Sequence, residues 1–355
     1  MKLLLKQFRI SFLLLALCYV SIFLTNSSAQ SAPRRVIIDT DPGTDDAMAI
    51  LLALNSPELK MEALTVVPGN VEGPQGLENA LKLVSLAGRC DVAVAAGAKH
   101  PLNQKLITAQ FWHGRNGLGD IELPASKCKA DPRFGPDLII EMVHKYPHEI
   151  TLIPIGPLTN IALALSKDPS IVALVKNIVI MGGSIGGGNV DGAAEANIYN
   201  DPEAAQIVFN AGWMITMVGS DVGERTEFGR EYLNVLRSSH GPQVDFVAKI
   251  AEFCLGRSEA NGYSGAAMYD PLAVGIALDA TLGTFKEMHV DVETKGEFTR
   301  GETVANRMGL DEKNVLHGDH YEIEGVVPLQ ANARVVLTSD RQRFLDLFAD
   351  RMRGK

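Results

Sequence analysis

Four aspartates fall within eight residues in Asp39-Thr40-Asp41-Pro42-Gly43-Thr44-Asp45-Asp46. Carboxylates this close cannot all stay ionised unless a cation or strong hydrogen-bond donors offset their repulsion. No Cys or His stands among them, and an oxygen-only ligand set points to a hard ion, Ca²⁺ or Mg²⁺. The plainer alternative puts Asp45 and Asp46 in a first helical turn, where a carboxylate suits the helix dipole without any metal. Asp39 and Asp41 just before them, with Pro42-Gly43 making a tight turn between the pairs, favour the metal.

The flanking residues say how this cluster is held. Val36-Ile37-Ile38 reads as a buried strand, and the nearly all-apolar run 47–54 as a buried helix. Parallel α/β sheets place their sites at such junctions, at the carboxyl ends of strands. The same alternation continues, with strands predicted over 61–67, 92–94, 150–155, 178–181 and 214–218. Helices are predicted over 75–87, 136–145, 158–166, 202–211, 241–257 and 341–353. Strands alternating with helices through short turns predict an α/β fold: a mostly parallel, Rossmann-like open sheet with helices on both faces. Residues 98–134 lack periodicity and carry Trp112-His113-Gly114, and a loop this long inside a compact domain is usually functional. The stretch 258–267 reads as mobile, and 289–302 alternates enough to be strand-like.

With 46% hydrophobic and 21% charged residues in 355, the chain has ample material for a core, and no repeat or linker divides it. A single domain over 34–355 is expected. Residues 1–29 stand apart: Lys2, Lys6 and Arg9, then an apolar run, then Asn26-Ser27-Ser28-Ala29. That is the pattern of a secretory signal peptide cut after Ala29, and it predicts export to a periplasm or the medium. An uncleaved membrane anchor is the alternative. Losing three positive charges and no negative one moves the net charge from −9 to −12. So acidic a mature chain argues against nucleic-acid binding and against docking on anionic membranes. Cys90, Cys128 and Cys254 have no metal-ligand spacing; one bridge can form among them in an oxidising compartment, and spacing does not say which.

Further candidates lie downstream. The glycines 182–188 lack the residues of a phosphate-binding loop. Asn189-Val190-Asp191-Gly192-Ala193-Ala194-Glu195-Ala196-Asn197 offers two amides and an acid, suited to sugar hydroxyls, or equally to a solvated surface turn. Asp270, in Tyr269-Asp270-Pro271, reads on its own as a helix N-terminal acid.

Asp-Thr-Asp-Pro-Gly-Thr-Asp-Asp-Ala resembles the N-terminal signature of the nucleoside hydrolases of the inosine–uridine type. The segments 153–160, 189–197, 269–271 and 292–301 are also similar to that family, so the resemblance spans most of 34–345. It implies the nucleoside hydrolase fold and Ca²⁺-dependent hydrolysis of the N-glycosidic bond of a ribonucleoside to base and ribose. By resemblance, Asp41, Asp46, Asp270 and the carbonyl of Ile155 hold the ion, with Asp41 also the catalytic base. Asp45 accepts the 2′-OH, Asn70 lies near metal and ribose, and Asn189 and Glu195 take the 5′-OH. Asn197 lies under the ring, where positive charge develops, and His113 touches the leaving base. The family's homo-oligomeric habit carries over in the same way.

One departure is informative. Inosine–uridine members carry His immediately before the late Asp, whereas this chain has Tyr269. A phenol of pKa about 10 is a poorer acid at neutral pH than an imidazole of about 6.5. It can instead stack on the base, which tilts the expectation slightly toward purine nucleosides; Tyr263 is a weaker base-covering candidate. Two other readings compete. One is an exported nucleoside-binding protein with little turnover. The other is an Asp-based phosphatase, which Asp39-Thr40-Asp41 resembles and from which Gly43 departs.

Overall fold

Val36 and Ile38 point to one face of their strand and Ile37 to the other, and all three are buried. A strand apolar on both faces must be covered on both, and the computed structural model, which describes residues 32–305 and 329–354, shows how. The strand is β1 (Arg34–Thr40). Seven others complete its sheet: β2 (Leu59–Val66), β3 (Ala93–Ala96), β4 (Thr151–Pro154), β5 (Asn177–Met181), β6 (Ile215–Val218), β7 (Gly283–Met288) and β8 (Ala333–Ser339). Their order is β3-β2-β1-β4-β5-β6-β8-β7, parallel throughout except for β7, which runs antiparallel on the edge. The sheet order reverses direction at β1 and β4, the place where open α/β sheets form a crevice.

One face is covered by α1 (Thr44–Leu54), α2 (Gly73–Leu86), α6 (Pro242–Ala260), α7 (Tyr269–Leu278) and α8 (Arg341–Met352). The other carries α3 (Gly135–Lys145), α4 (Thr159–Lys167) and α5 (Pro202–Phe209). Helix α1 is buried all round except at Asp45, as its unbroken apolar run requires. The described residues from Arg34 onward pack as one compact unit. Among the described residues no helix is long and apolar enough to cross a membrane; the predicted leader, 1–29, lies outside them.

Several expectations need correction. Of 289–302 only Val290–Val292 is strand, paired with Thr303–Ala305. Between them Glu293 accepts from the Lys295 and Gly296 amides, and Arg300 is clamped on Glu203, which turns the chain. The predicted mobile stretch begins inside α6, which runs on to Ala260. Within 98–134 a short helix, Gln110–His113, presents His113. That long loop is fastened by a Cys90–Cys128 disulfide and by Asn79, whose amide donates to Pro42 and Asn116 carbonyls. Cys254 is free.

Candidate active site

The chain leaves β1 at Asp41, turns at Pro42-Gly43 and enters α1. Asp46, three residues after the capping Gly43, reaches back to its amide at 2.9 Å, so the helix-capping role is real. Its two oxygens also take the Thr40 hydroxyl at 2.5 Å, the Asn70 side-chain amide at 2.9 Å and the Asp41 amide at 3.3 Å. Asp41 accepts from the Asn70 amide at 2.6 Å through Oδ2. Side-chain-free turns at Gly69 and Gly156 flank it: a Cβ there would stand 2.0 Å and 2.6 Å from its two oxygens.

The four aspartates do not stay together. Asp39 turns to the opposite side of the sheet, where Oδ1 accepts from Thr65 at 2.5 Å and Asn160 at 2.7 Å. It ties β1 to β2 and α4, and burial pushes its carboxyl up to about 7. In its place comes Asp270, brought by α7 packing on α1. Asp45, Asp46 and Asp270 present carboxylate oxygens all within 4.8 Å of one another. Asp41 adjoins this triad. Burial, and then the charge of Asp46, holds its carboxyl well above the usual range. Burial, and then Asp45, Asp46 and Asp41, does the same to Asp270.

Three acids facing one another, Asp46 and Asp270 buried and Asp45 partly so, with buried Asp41 beside them, would be costly without compensation. Among the described residues the one basic group within 4 Å is His113, 3.7 Å from Asp45, and burial pushes its imidazole down to about 4, so it is neutral. Asp41 Oδ1 and Asp45 Oδ1 are buried without a hydrogen-bond partner. Unpartnered acceptors, an all-oxygen set and no compensating cation fit a divalent hard ion.

Glu195 and Tyr269 lie close enough to the cluster to feel the charge of Asp45. Asn197 donates from Nδ2 to the Ile155 carbonyl at 3.0 Å and the Met181 carbonyl at 3.2 Å, so the proposed ligand carbonyl and the proposed ribose amide touch. Glu195 caps the short helix Ala196–Asn200, accepting from Asn197 and Ile198 amides and from Gly183. It is buried, and its carboxyl is raised to about 7. Asn189 is exposed, and its Oδ1 takes the Ala196 amide. His113 Nδ1 meets both the Thr44 amide at 3.2 Å and the Thr44 hydroxyl at 2.8 Å. Tyr269 opens α7, half-buried, while Tyr263 is 63% exposed. Thr40, Thr44 and Asn160 were not singled out from sequence; each acts by holding a carboxylate or His113, which residue type alone does not announce.

Residues 36–346 match the family model described as inosine-uridine preferring nucleoside hydrolase. The chain belongs to that family. It is an enzyme, an N-glycosyl hydrolase of ribonucleosides, and the phosphatase reading falls away. Curated relatives include the pyrimidine-specific ribonucleoside hydrolase RihA of Salmonella arizonae, 39% identical over 90% of this chain and 98% of that one. That of Photobacterium profundum is 37% identical over 90% and 98%. Among solved structures, a plant nucleoside hydrolase is 38% identical with a TM-score of 0.81, covering 91% of this chain and all of that one. A purine-preferring ribonucleoside hydrolase from Gardnerella vaginalis is 35% identical with the same TM-score, covering 90% and 98%.

Proposed function

We propose that the chain is an exported, Ca²⁺-dependent ribonucleoside hydrolase with a slight lean to purine nucleosides. The observation that carries the metal is the Asp45, Asp46 and Asp270 triad with buried, unpartnered oxygens on Asp41 and Asp45. Asp41, Asp45, Asp46, Asp270 and the Ile155 carbonyl would hold the ion. When bound, Ca²⁺ offsets the carboxylate repulsion, favours a ribose diol and makes water more acidic.

This chain's own residues do the rest. Asp41 takes a proton from the attacking water. Asn70 fixes both Asp41 and Asp46, so one residue sets the spacing of base and ligand. Asn197 has its Nδ2 committed to Ile155 and Met181, which turns its acceptor oxygen to the sugar as oxocarbenium character grows. Glu195 and Asn189 take the 5′-OH end. His113 accepts from Thr44 through Nδ1, leaving Nε2–H as a neutral donor toward the base rather than an acid. Tyr269 stays protonated, because burial and then Glu224 and Asp45 raise its phenol. We assign it a stacking role, and the broader purine face gains more from stacking.

The leader and the Cys90–Cys128 bridge support an oxidising compartment, and the resemblance supports a homo-oligomer. Release of free base is to be measured for inosine, adenosine, guanosine, uridine and cytidine, with and without chelator and with Asp41→Ala. Chelator-sensitive release, lost in Asp41→Ala, is expected. Calcium-dependent binding with no base released would instead leave a nucleoside-binding protein.

A further inference from the structure

The turn after β6 enters the short helix Ser220–Glu224, following the carboxyl end of its parallel strand as the aspartates follow β1. Its fourth residue is a buried glycine in ordinary helical conformation, so no left-handed backbone demands it. Glycine is a poor helix former, and close packing by another group is one physical reason for keeping one there. Here that group is Tyr269. A Cβ on Gly223 would lie 2.4 Å from Tyr269 Cδ1, 3.1 Å from Cε1 and 3.3 Å from its Cα.

Neither backbone has room to retreat. Gly223 donates its amide to Gly219 at 3.1 Å and accepts from Thr226 at 3.0 Å. Thr226 is pinned in turn by its hydroxyl to the Val222 carbonyl at 2.8 Å. On the other side, Tyr269 opens α7, whose packing on α1 holds the start of that helix. Relief from any side chain at 223 therefore falls on the tyrosine ring, which must swing out of its slot. We propose that Gly223 is a positioning residue: it provides the slot that sets where the Tyr269 ring stands, and thereby tunes base preference. This rests on the reading of Tyr269 as the base-stacking group.

A double-mutant cycle tests it. Gly223→Ala is made in the native chain and in Tyr269→Ala, and kcat and KM are measured for inosine and uridine beside thermal unfolding. In the native chain, KM for inosine should rise on the order of tenfold with kcat within about threefold, as lost ground-state binding does. The inosine-to-uridine ratio should move with it. In Tyr269→Ala the same change should shift KM by less than about twofold, since the ring is gone. Equal losses in both backgrounds, or no loss in the native one, overturn the proposal. If Gly223→Ala alone does not fold, recovery of folding in the double variant supports the slot, and failure in both overturns it. Separately, a Tyr269→Ala enzyme with native kinetics on all nucleosides overturns the base-stacking reading itself.

Discussion

Removing the ion should make stability fall as pH rises, because the site's acids are more basic when folded. For a carboxyl whose folded pKa is raised, stability is fully present below its unfolded pKa and is lost as pH climbs through the folded value. Asp45 rises from 3.8 to about 6, by burial first, which corresponds to ~3 kcal/mol forfeited between about pH 4 and 6. Asp39 and Glu195, each raised to about 7, extend the window upward, and Asp41 and Asp270 act in the same direction. Carboxylates held low by arginines, such as Asp131, matter only below that range; His113, pushed down from 6.5 to about 4, acts in the opposite direction up to about pH 6.5, so the net fall is steepest above it. Calcium at a hundred times its Kd should return ~2.7 kcal/mol, and more as the ligands ionise. Thermal unfolding at pH 5, 6 and 7.5, in chelator and in calcium, reads this directly. The calcium-minus-chelator difference in Tm should widen with pH. A Tm indifferent to calcium at pH 7.5, or a metal-free protein that gains stability from pH 5 to 7.5, would refute the reasoning.

Other outcomes follow from the same contacts. Asp41→Asn should lower kcat by roughly 10²–10⁴, the usual worth of a general base, while raising the Tm of the metal-free protein by removing a buried like charge; base release and unfolding check the two halves. His113, neutral with a pKa of about 4, should give the kcat profile no limb between pH 5 and 8, so His113→Gln should leave its shape unchanged. Asn160→Ala removes the Asp39 tie and a contact to the Ala98 amide and should cost about 1–3 kcal/mol, seen as a lower denaturant midpoint. Cys90→Ser with Cys128→Ser opens a bridge between residues 38 apart and should cost about 3–4 kcal/mol, measurable as a lower Tm that reductant no longer changes.

The parallel sheet was legible because its inner strands are apolar on both faces and punctuated by helices of opposite character. The last two strands were not. Strand β7 carries Thr284, Lys286 and Glu287 and is half exposed, as an edge tolerates, and its inner neighbour β8, with buried Ala333, Val335 and Val336, was missed as well. The acidic cluster was legible as a cluster but not in its membership. Asp39 shares a strand face with Ile37, which sends it toward Asn160 and away from the site, whereas Asp41 lies past the end of the strand and escapes the alternation. Asp270 is separated from Asp46 by 224 residues, and only the resemblance paired them. Spacing likewise did not choose among three cysteines. Gly223 has no sequence signal, since its meaning lies in a tyrosine on another helix.

The account stands or falls on an ion held by acids from both ends of the chain. Metal content by mass spectrometry after dialysis against trace calcium, for the native chain and for Asp270→Asn, tests that most directly. One calcium per native chain, and little in the variant, is the expected result. A native chain without bound calcium, or a variant that retains it in full, would contradict the account.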